Sequence, residues 1–266
     1  MRHFIAAVCA AGLAVGAAGP ISPVQAQEQI VVKFSHVVAP NTPKGKGADK
    51  FKELGEKYTN GKVKIEIYPN SQLYKDKEEL EALQLGSVQM LAPSLAKFGP
   101  LGAKEFEVFD LPFLFPSVAA LQKIQTGPIG KGMFTSLESK GIVGLAYWDN
   151  GFKIFSANKP VKVPDDLLGM KIRIQSSKVL EAQMKAYGAV PQVMAFSEVY
   201  QGLQTGVVDG NERDELVEAR FAVANPAEHA HQAVVVCVPG LFANVRSDRA
   251  LPSAHEPIQL FQAHSQ

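Results

Sequence analysis

Apolar and polar positions change period in a regular order along the chain. Val31, Val32, Phe34, Val37 and Val38 make a mostly apolar run between Gln29 and Val38, the pattern of a strand covered on both faces. It closes on Ser35-His36 and a Pro40-Asn41-Thr42-Pro43 loop. Ala48, Phe51, Leu54 and Tyr58 then recur at helical spacing and predict a helix over 44–58. Asn60-Gly61 turns the chain into Val63-Lys64-Ile65-Glu66-Ile67-Tyr68, a period-two strand. A helix over 77–85 stops at Gly86, and a strand follows over 88–91. Strands alternating with helices predict an α/β lobe with a largely parallel sheet.

The aromatic stretch Phe106 to Phe115 carries Pro112 and reads as packed loop or short helix. Helices are predicted over 117–125 and 129–139, then a strand over 142–148 and a second, short one over 153–157. Pro160, Pro164 and Asp165-Asp166 mark 158–168 as loop. In Lys171-Ile172-Arg173-Ile174-Gln175 the alternation is that of a half-buried strand. A helix follows Ser176-Ser177 and ends at Tyr187-Gly188, and Ser197 can cap another that ends at Gly206. Leu83-Gln84-Leu85-Gly86-Ser87-Val88 returns as Leu203-Gln204-Thr205-Gly206-Val207-Val208, matching at Leu, Gln, Gly and Val. Two similar halves predict two α/β lobes. Ligands in such sheets sit at the carboxyl ends of strands, here Ser35-His36, Pro93-Ser94, Asp149-Asn150 and Asp209-Gly210.

Composition narrows the destination. Residues 1–26 have a basic start, an apolar run from Phe4 to Ala18, and small residues at Val24-Gln25-Ala26, the pattern of an export leader cut after Ala26. The run is broken by Gly12, Gly16, Gly19 and Pro20 and falls short of the roughly 20 apolar residues of a membrane span. Without the leader only Cys237 remains, so no intrachain disulfide, redox pair or metal-ligand set is suggested, and no cofactor is expected. The chain carries a formal charge of +1, one unit of which is Arg2 in the leader. A near-neutral export product argues against nucleic acid or an anionic membrane surface as partner.

Arg173 stands out. Before residue 211 the chain holds 21 lysines but only two arginines, Arg2 and Arg173. Arginine's planar fork grips a carboxylate through two parallel hydrogen bonds, which lysine cannot do. The competing reading is a surface ion pair on an edge strand. Enzyme chemistry has little support: no Gly-x-Ser-x-Gly, Gly-x-Gly-x-x-Gly, phosphate-binding loop or metal spacing appears. A binding protein needs only shape, charge and a hinge.

Several motifs in one order resemble a known family. They are Val32-Lys33-Phe34-Ser35-His36, Pro69-Asn70-Ser71-Gln72-Leu73-Tyr74, Asp110-Leu111-Pro112-Phe113, Tyr147-Trp148-Asp149-Asn150-Gly151-Phe152, Lys171-Ile172-Arg173-Ile174 and the Leu203 to Gly210 segment. From about residue 30 to 210 the chain is similar to the periplasmic substrate-binding proteins of tripartite ATP-independent periplasmic (TRAP) transporters, C4-dicarboxylate-binding type. The resemblance implies a two-lobed α/β fold like that of type II periplasmic binding proteins, with mixed sheets flanked by helices. It implies closure on a small organic acid and delivery to a membrane permease, and no catalysis.

The resemblance places the carboxylate-pairing arginine on Arg173 and a second basic position on Lys153. Loop contacts fall on His36, Lys44, Glu78 and Ser94, with Asn150 and Gln175 completing the candidate set. Each has a plainer reading. Lys153 and Glu78 suit solvated faces, His36 suits a turn or the core, and Trp148 suits packing or a pocket wall.

The expected organisation is a leader over 1–26, lobe one over 27–150, a partial lobe two over 151–210 and a divergent tail over 211–266. The tail holds no lysine and no tyrosine, but four of the six arginines and four of the six histidines. So sharp a change at Asp209-Gly210 suggests an out-of-frame tail and a damaged copy of a binding protein. Helical turns within 212–223 and a strand over 233–238 are the structure this tail predicts.

Overall fold

Ile30–Ser35 (β1) and Val63–Tyr68 (β2) pair in parallel, with helix Pro43–Tyr58 (α1) between them in sequence. The short helix Glu79–Gln84 (α2) leads into Met90–Leu91 (β3), which pairs on the other edge of β1. The computed structural model describes residues 29–214 and 229–237. The expected leader, most of the helical turns expected within 212–223, and residues 238–266 lie outside the described residues.

Helices Val118–Thr126 (α3) and Pro128–Glu138 (α4) precede the long strand Val143–Ala157 (β4). Lys171–Ile174 (β5), helix Lys178–Ala186 (α5), Val190–Val193 (β6), helix Val199–Gln204 (α6) and Gly210–Asp214 (β7) follow, and His229–Cys237 (β8) is the last described element. The strands form one sheet in the order β2-β1-β3-β8-β4-β7-β5-β6. One end is the parallel set β2-β1-β3 and the other the parallel set β6-β5-β7. The first strand of each set is central, flanked by its second and third. The same topology therefore occurs twice, as the Leu83 and Leu203 echo predicts.

Antiparallel β8 and β4 join the two halves: β8 pairs with β3 and with β4, and β4 pairs with β7. The sheet is thus mixed, and the strand predicted over 233–238 takes a central place in it. Residues 212–214 lie in β7, not in a helix.

Several expectations change. The two strands predicted over 142–148 and 153–157 are one strand. Gly151, at φ 82°, accompanies a register shift between Asp149 and Phe152, so a bulge interrupts the pairing without ending the strand. The lobe boundary expected at 150/151 falls inside β4. β6 was not foreseen, because Pro191 weakens a strand pattern; β6 is the last strand in the sheet order, where a missing N–H is tolerated. Finally, β5 is not half-buried. It lies between β7 and β6, and Ile172, Arg173 and Ile174 are all buried.

The core has three parts. Val32, Phe34, Ala48 and Ile65 pack α1 on β1 and β2. Leu83, Phe98, Phe106, Leu121 and Leu137 gather α2, α3, α4 and the aromatic stretch, which forms a 3-10 helix over Lys104–Asp110. Ile172, Ile174, Leu180 and Met184 fill the second half. Among the described residues no helix is long and apolar enough to cross a membrane.

Candidate functional site

Arg173 leaves β5 with its side chain 2% exposed. Its Nε–H donates to the Met194 carbonyl at 2.9 Å, and its Nη2 lies 3.3 Å from Asp76 Oδ2. The Phe196 ring centroid is 5.8 Å from the guanidinium carbon, within cation–π range. Asp76 belongs to the first half and Arg173 to the second, so this pair spans the lobes.

Asp76 lies in the turn that leads into α2, and Glu79, Leu80 and Leu83 follow on the helix. Asp76, Glu79, Leu80 and Leu83 are buried, at i, i+3, i+4 and i+7, while Lys75, Lys77 and Glu78 are exposed. Asp76 Oδ1 accepts the Phe196 backbone N–H at 2.9 Å. Lys97, in the 3-10 turn Leu95–Lys97 after β3, sits 3.4 Å from Asp76 Oδ2 and 2.9 Å from Glu79 Oε1. Lys44 enters from the first turn of α1, which Thr42 caps by accepting the Gly45 N–H. A Cβ on Gly45 would lie 2.5 Å from the Ala39 and Pro40 carbonyl oxygens, so glycine lets that loop close on the helix. Lys44 Nζ donates to the Ala92 carbonyl at 3.2 Å.

The two acids of this cluster are tuned apart. Burial pushes the Asp76 carboxyl up, but Lys97 and Arg173 outweigh burial and hold it below the usual carboxylate range. Glu79 is fully buried, and burial outweighs Lys97 and raises its carboxyl. Its Oε2 has no hydrogen-bond partner among the described residues. Burial, reinforced by Lys44, pushes the His36 imidazole down to about 4, so it is neutral at pH 7.

A second buried cluster forms where β4 meets β7. Lys153 contacts Glu212 directly and lies 3.7 Å from Asp110. All three side chains are at most 2% exposed. Burial pushes Asp110 up to about 6 despite Lys153. Asp110 Oδ2 and Glu212 Oε2 have no hydrogen-bond partner among the described residues.

Of the residues singled out from sequence, His36, Lys44, Ser94, Asn150, Lys153, Arg173 and Gln175 are all buried. Lys153 is therefore not on a solvated face, and Arg173 is not on an edge strand. Glu78 is exposed, because the helical phase turns Glu79 inward in its place. Trp148 packs on Phe34, with ring centroids 6.1 Å apart. Sequence reasoning missed Asp76, Glu79 and Lys97. The i, i+3, i+4, i+7 phase of Asp76, Glu79, Leu80 and Leu83 was the available signal for the two acids; Lys97 carried none.

Two lobes of matching topology, joined by shared strands, face each other over buried charge. Residues 34–216 match the sequence model of DctP, bacterial extracellular solute-binding protein, family 7, and the chain belongs to that family. It is 75% identical over 185 residues to the C4-dicarboxylate-binding periplasmic protein DctP of Rhodobacter capsulatus, covering 70% of this chain and 56% of that protein. It is 51% identical over 187 residues to the C4-dicarboxylate-binding protein DctB of Bacillus subtilis, covering 70% and 53%. The chain thus spans about half the length of these relatives. Among solved structures, a TRAP periplasmic solute-binding protein of Sulfurospirillum deleyianum with bound succinate superposes with a TM-score of 0.76 at 41% identity, covering 88% of this chain and 77% of that one. One from Pseudomonas aeruginosa with bound L-malate gives a TM-score of 0.78 at 38% identity, covering 88% and 82%.

Proposed function

We propose that this chain is the extracytoplasmic solute-binding subunit of a TRAP transporter, capturing a C4-dicarboxylate or related acid between its lobes and delivering it to membrane permease subunits. The carrying observation is Arg173, buried at the lobe junction and sharing Asp76 with Lys97. Buried cations are costly by themselves and are relieved by anionic partners, a ligand carboxylate included. Arginine has five N–H donors, so it can serve Asp76, the Met194 carbonyl and a ligand oxygen together. The ligands of the relatives named above, dicarboxylates in each case, support the same chemistry.

In this reading Arg173 pairs with one ligand carboxylate. The second cationic role goes to Lys97 rather than Lys153, because Lys97 shares Asp76 with Arg173, whereas Lys153 sits apart with Asp110 and Glu212 at the β4–β7 seam. His36, Lys44, Ser94, Asn150 and Gln175 are assigned to the surrounding polar wall. The leader is assigned to residues 1–26, with cleavage after Ala26, which N-terminal sequencing of the exported protein reads directly.

Calorimetry with succinate tests the reading. Arg173→Lys keeps the charge and loses the fork, and is expected to weaken binding about 100-fold, roughly 3 kcal/mol. Near wild-type affinity in that variant would overturn the assignment.

A second reading, a damaged copy read out of frame after about residue 210, is favoured by the loss of lysine and tyrosine there and by a family match that ends at 216. The nucleotide sequence around codon 210 decides it: an alternative frame that continues the family pattern supports it, and the lack of one removes it.

A further inference from the structure

The two halves repeat the turns that lead into α2 and α6 as well as their strands. α2 spans Glu79–Gln84 and α6 spans Val199–Gln204, and on the same spacing of 120 positions Asp76 corresponds to Phe196 and Glu78 to Glu198. These equivalent turns meet each other. Asp76 Oδ1 accepts the Phe196 N–H at 2.9 Å, Lys75 pairs with Glu198 at 2.6 Å, and Lys77 Nζ donates to the Val193 carbonyl at 3.0 Å. Consecutive residues of the first half thus grip one short segment of the second. β4 and β8 join the halves by backbone ladders, which survive a bend of the sheet. The contact between the turns is made by side chains and is lost when the halves part.

Asp76 differs from its neighbours in burial and in what it reaches. Its side chain is 5% exposed, against 47% for Lys75. Its Oδ2 lies 3.3 Å from Arg173 Nη2 and 3.4 Å from Lys97 Nζ. From its own half Arg173 is held at Nε by the Met194 carbonyl, and the Phe196 ring lies beside the guanidinium. Contacts at two different nitrogens, one from each half, fix the plane of the fork. That plane sets the direction of the parallel N–H bonds with which an arginine meets a carboxylate. Burial raises the Asp76 carboxyl, but Lys97 and Arg173 hold it below the usual range, so it is ionised at pH 7 and its grip is charge-assisted.

We propose that Asp76 is a positioning residue that fixes the Arg173 guanidinium only while the halves are together, so that release of a bound acid waits on the parting of the two equivalent turns. The inference rests on the acid-binding reading above. Asp76 acts through Arg173 and through the Phe196 N–H, and both contacts break in one step because one carboxylate makes them. An acid enters the parted halves without meeting this contact, and leaves the joined halves only after it has broken.

The test is stopped-flow mixing of the whole chain with succinate, read by protein fluorescence, which gives association and release rates separately. Asp76→Asn keeps an oxygen for the Phe196 N–H and removes the charge that faces Arg173. It is expected to speed release about tenfold, the scale of one charge-assisted hydrogen bond, with association changed by less than about twofold. Asp76→Glu, which carries the charge further out, should fall between that variant and the wild type. Lys75→Gln, at the exposed rim of the same turn, should release succinate at the wild-type rate. A side chain that only supported the fold would shift the unfolding midpoint and leave the release rate alone. A wild-type release rate in Asp76→Asn therefore overturns the proposal, and so does an equal acceleration in Lys75→Gln. If Asp76→Asn fails to fold, Asp76→Glu decides alone, and release at the wild-type rate in it overturns the proposal. A wild-type chain that binds no succinate overturns the acid-binding reading instead. The hold of Asp76 on the two halves is then read without ligand by small-angle X-ray scattering: Asp76→Asn should have a larger radius of gyration than the wild type, and equal radii overturn the role of Asp76.

Discussion

At the lobe junction Lys44, Lys97 and Arg173 face Asp76 and Glu79, whereas at the β4–β7 seam Lys153 alone faces Asp110 and Glu212. Both clusters are buried and built from the same chemical groups, but their balance is opposite. Among the groups just named, the first counts one cation more than its carboxylates. The second counts one carboxylate more than its cation, and burial raises Asp110 to about 6, so its ionisation at neutral pH is costly. Counting charges around each cation, rather than counting cations, separates a cation suited to a ligand from one that braces the sheet.

The largest break in this comparison is at the seam. Lys153→Met leaves two buried carboxylates without their cation. Removing one side of a buried pair costs about 3–5 kcal/mol. Urea unfolding at pH 8 should show a loss of that order, recovered in part on acidification as the carboxylates protonate. A loss within error would show that Lys153 does not brace the seam.

How much of this was legible beforehand depends on rarity. Arg173 could be singled out because arginine is scarce among 21 lysines before residue 211. Lys97 could not, because it is one lysine of many and its value comes from Asp76 and Glu79, which fold places beside it. The run Lys75-Asp76-Lys77-Glu78-Glu79 reads as a solvated surface. Only the turn before α2 and the phase of the helix decide that Asp76 and Glu79 face inward and Glu78 does not. The repeated half was visible in the Leu83 and Leu203 echo, since a helix end followed by a glycine stop is local. The continuity of β4 through Gly151 was not, because antiparallel partners on both sides, distant in sequence, hold that strand together.

Acidification sharpens the comparison, because Asp110 and His36 respond with opposite sign. Asp110 has its carboxyl raised from 3.8 to about 6 in the fold. Its ionisation therefore weakens the fold at neutral pH, and stability is regained as pH falls from 6 to below 3.8. His36 is lowered from 6.5 to about 4. Its contribution is complete above 6.5 and is lost as pH falls towards 4. Each shift corresponds to about 3 kcal/mol at 1.36 kcal/mol per pH unit. The two nearly cancel in the wild type, and single variants separate them. Relative to Asp110→Asn, the wild type should gain stability as pH drops from 7 to 4; relative to His36→Gln, it should lose it. Parallel pH profiles for the wild type and either variant would mean that the group concerned does not titrate as its burial requires.

The smallest expected effect lies at the rim of the junction. Lys75 and Glu198 pair at 2.6 Å across the two halves, with both side chains 47% exposed, and Lys77 Nζ donates to the Val193 carbonyl at 3.0 Å. These contacts share the segment that carries Asp76, so they resemble the buried Arg173–Asp76 contact in position while differing from it in exposure. Water and salt screen an exposed pair, and holding two long side chains offsets much of what remains. Glu198→Gln should leave the unfolding midpoint unchanged within error at physiological salt, with any difference confined to low ionic strength. A salt-insensitive drop in the midpoint would show that closure of the lobes is held at the rim as well as at Asp76, and that the division between a buried clasp and an ornamental outer pair is drawn in the wrong place.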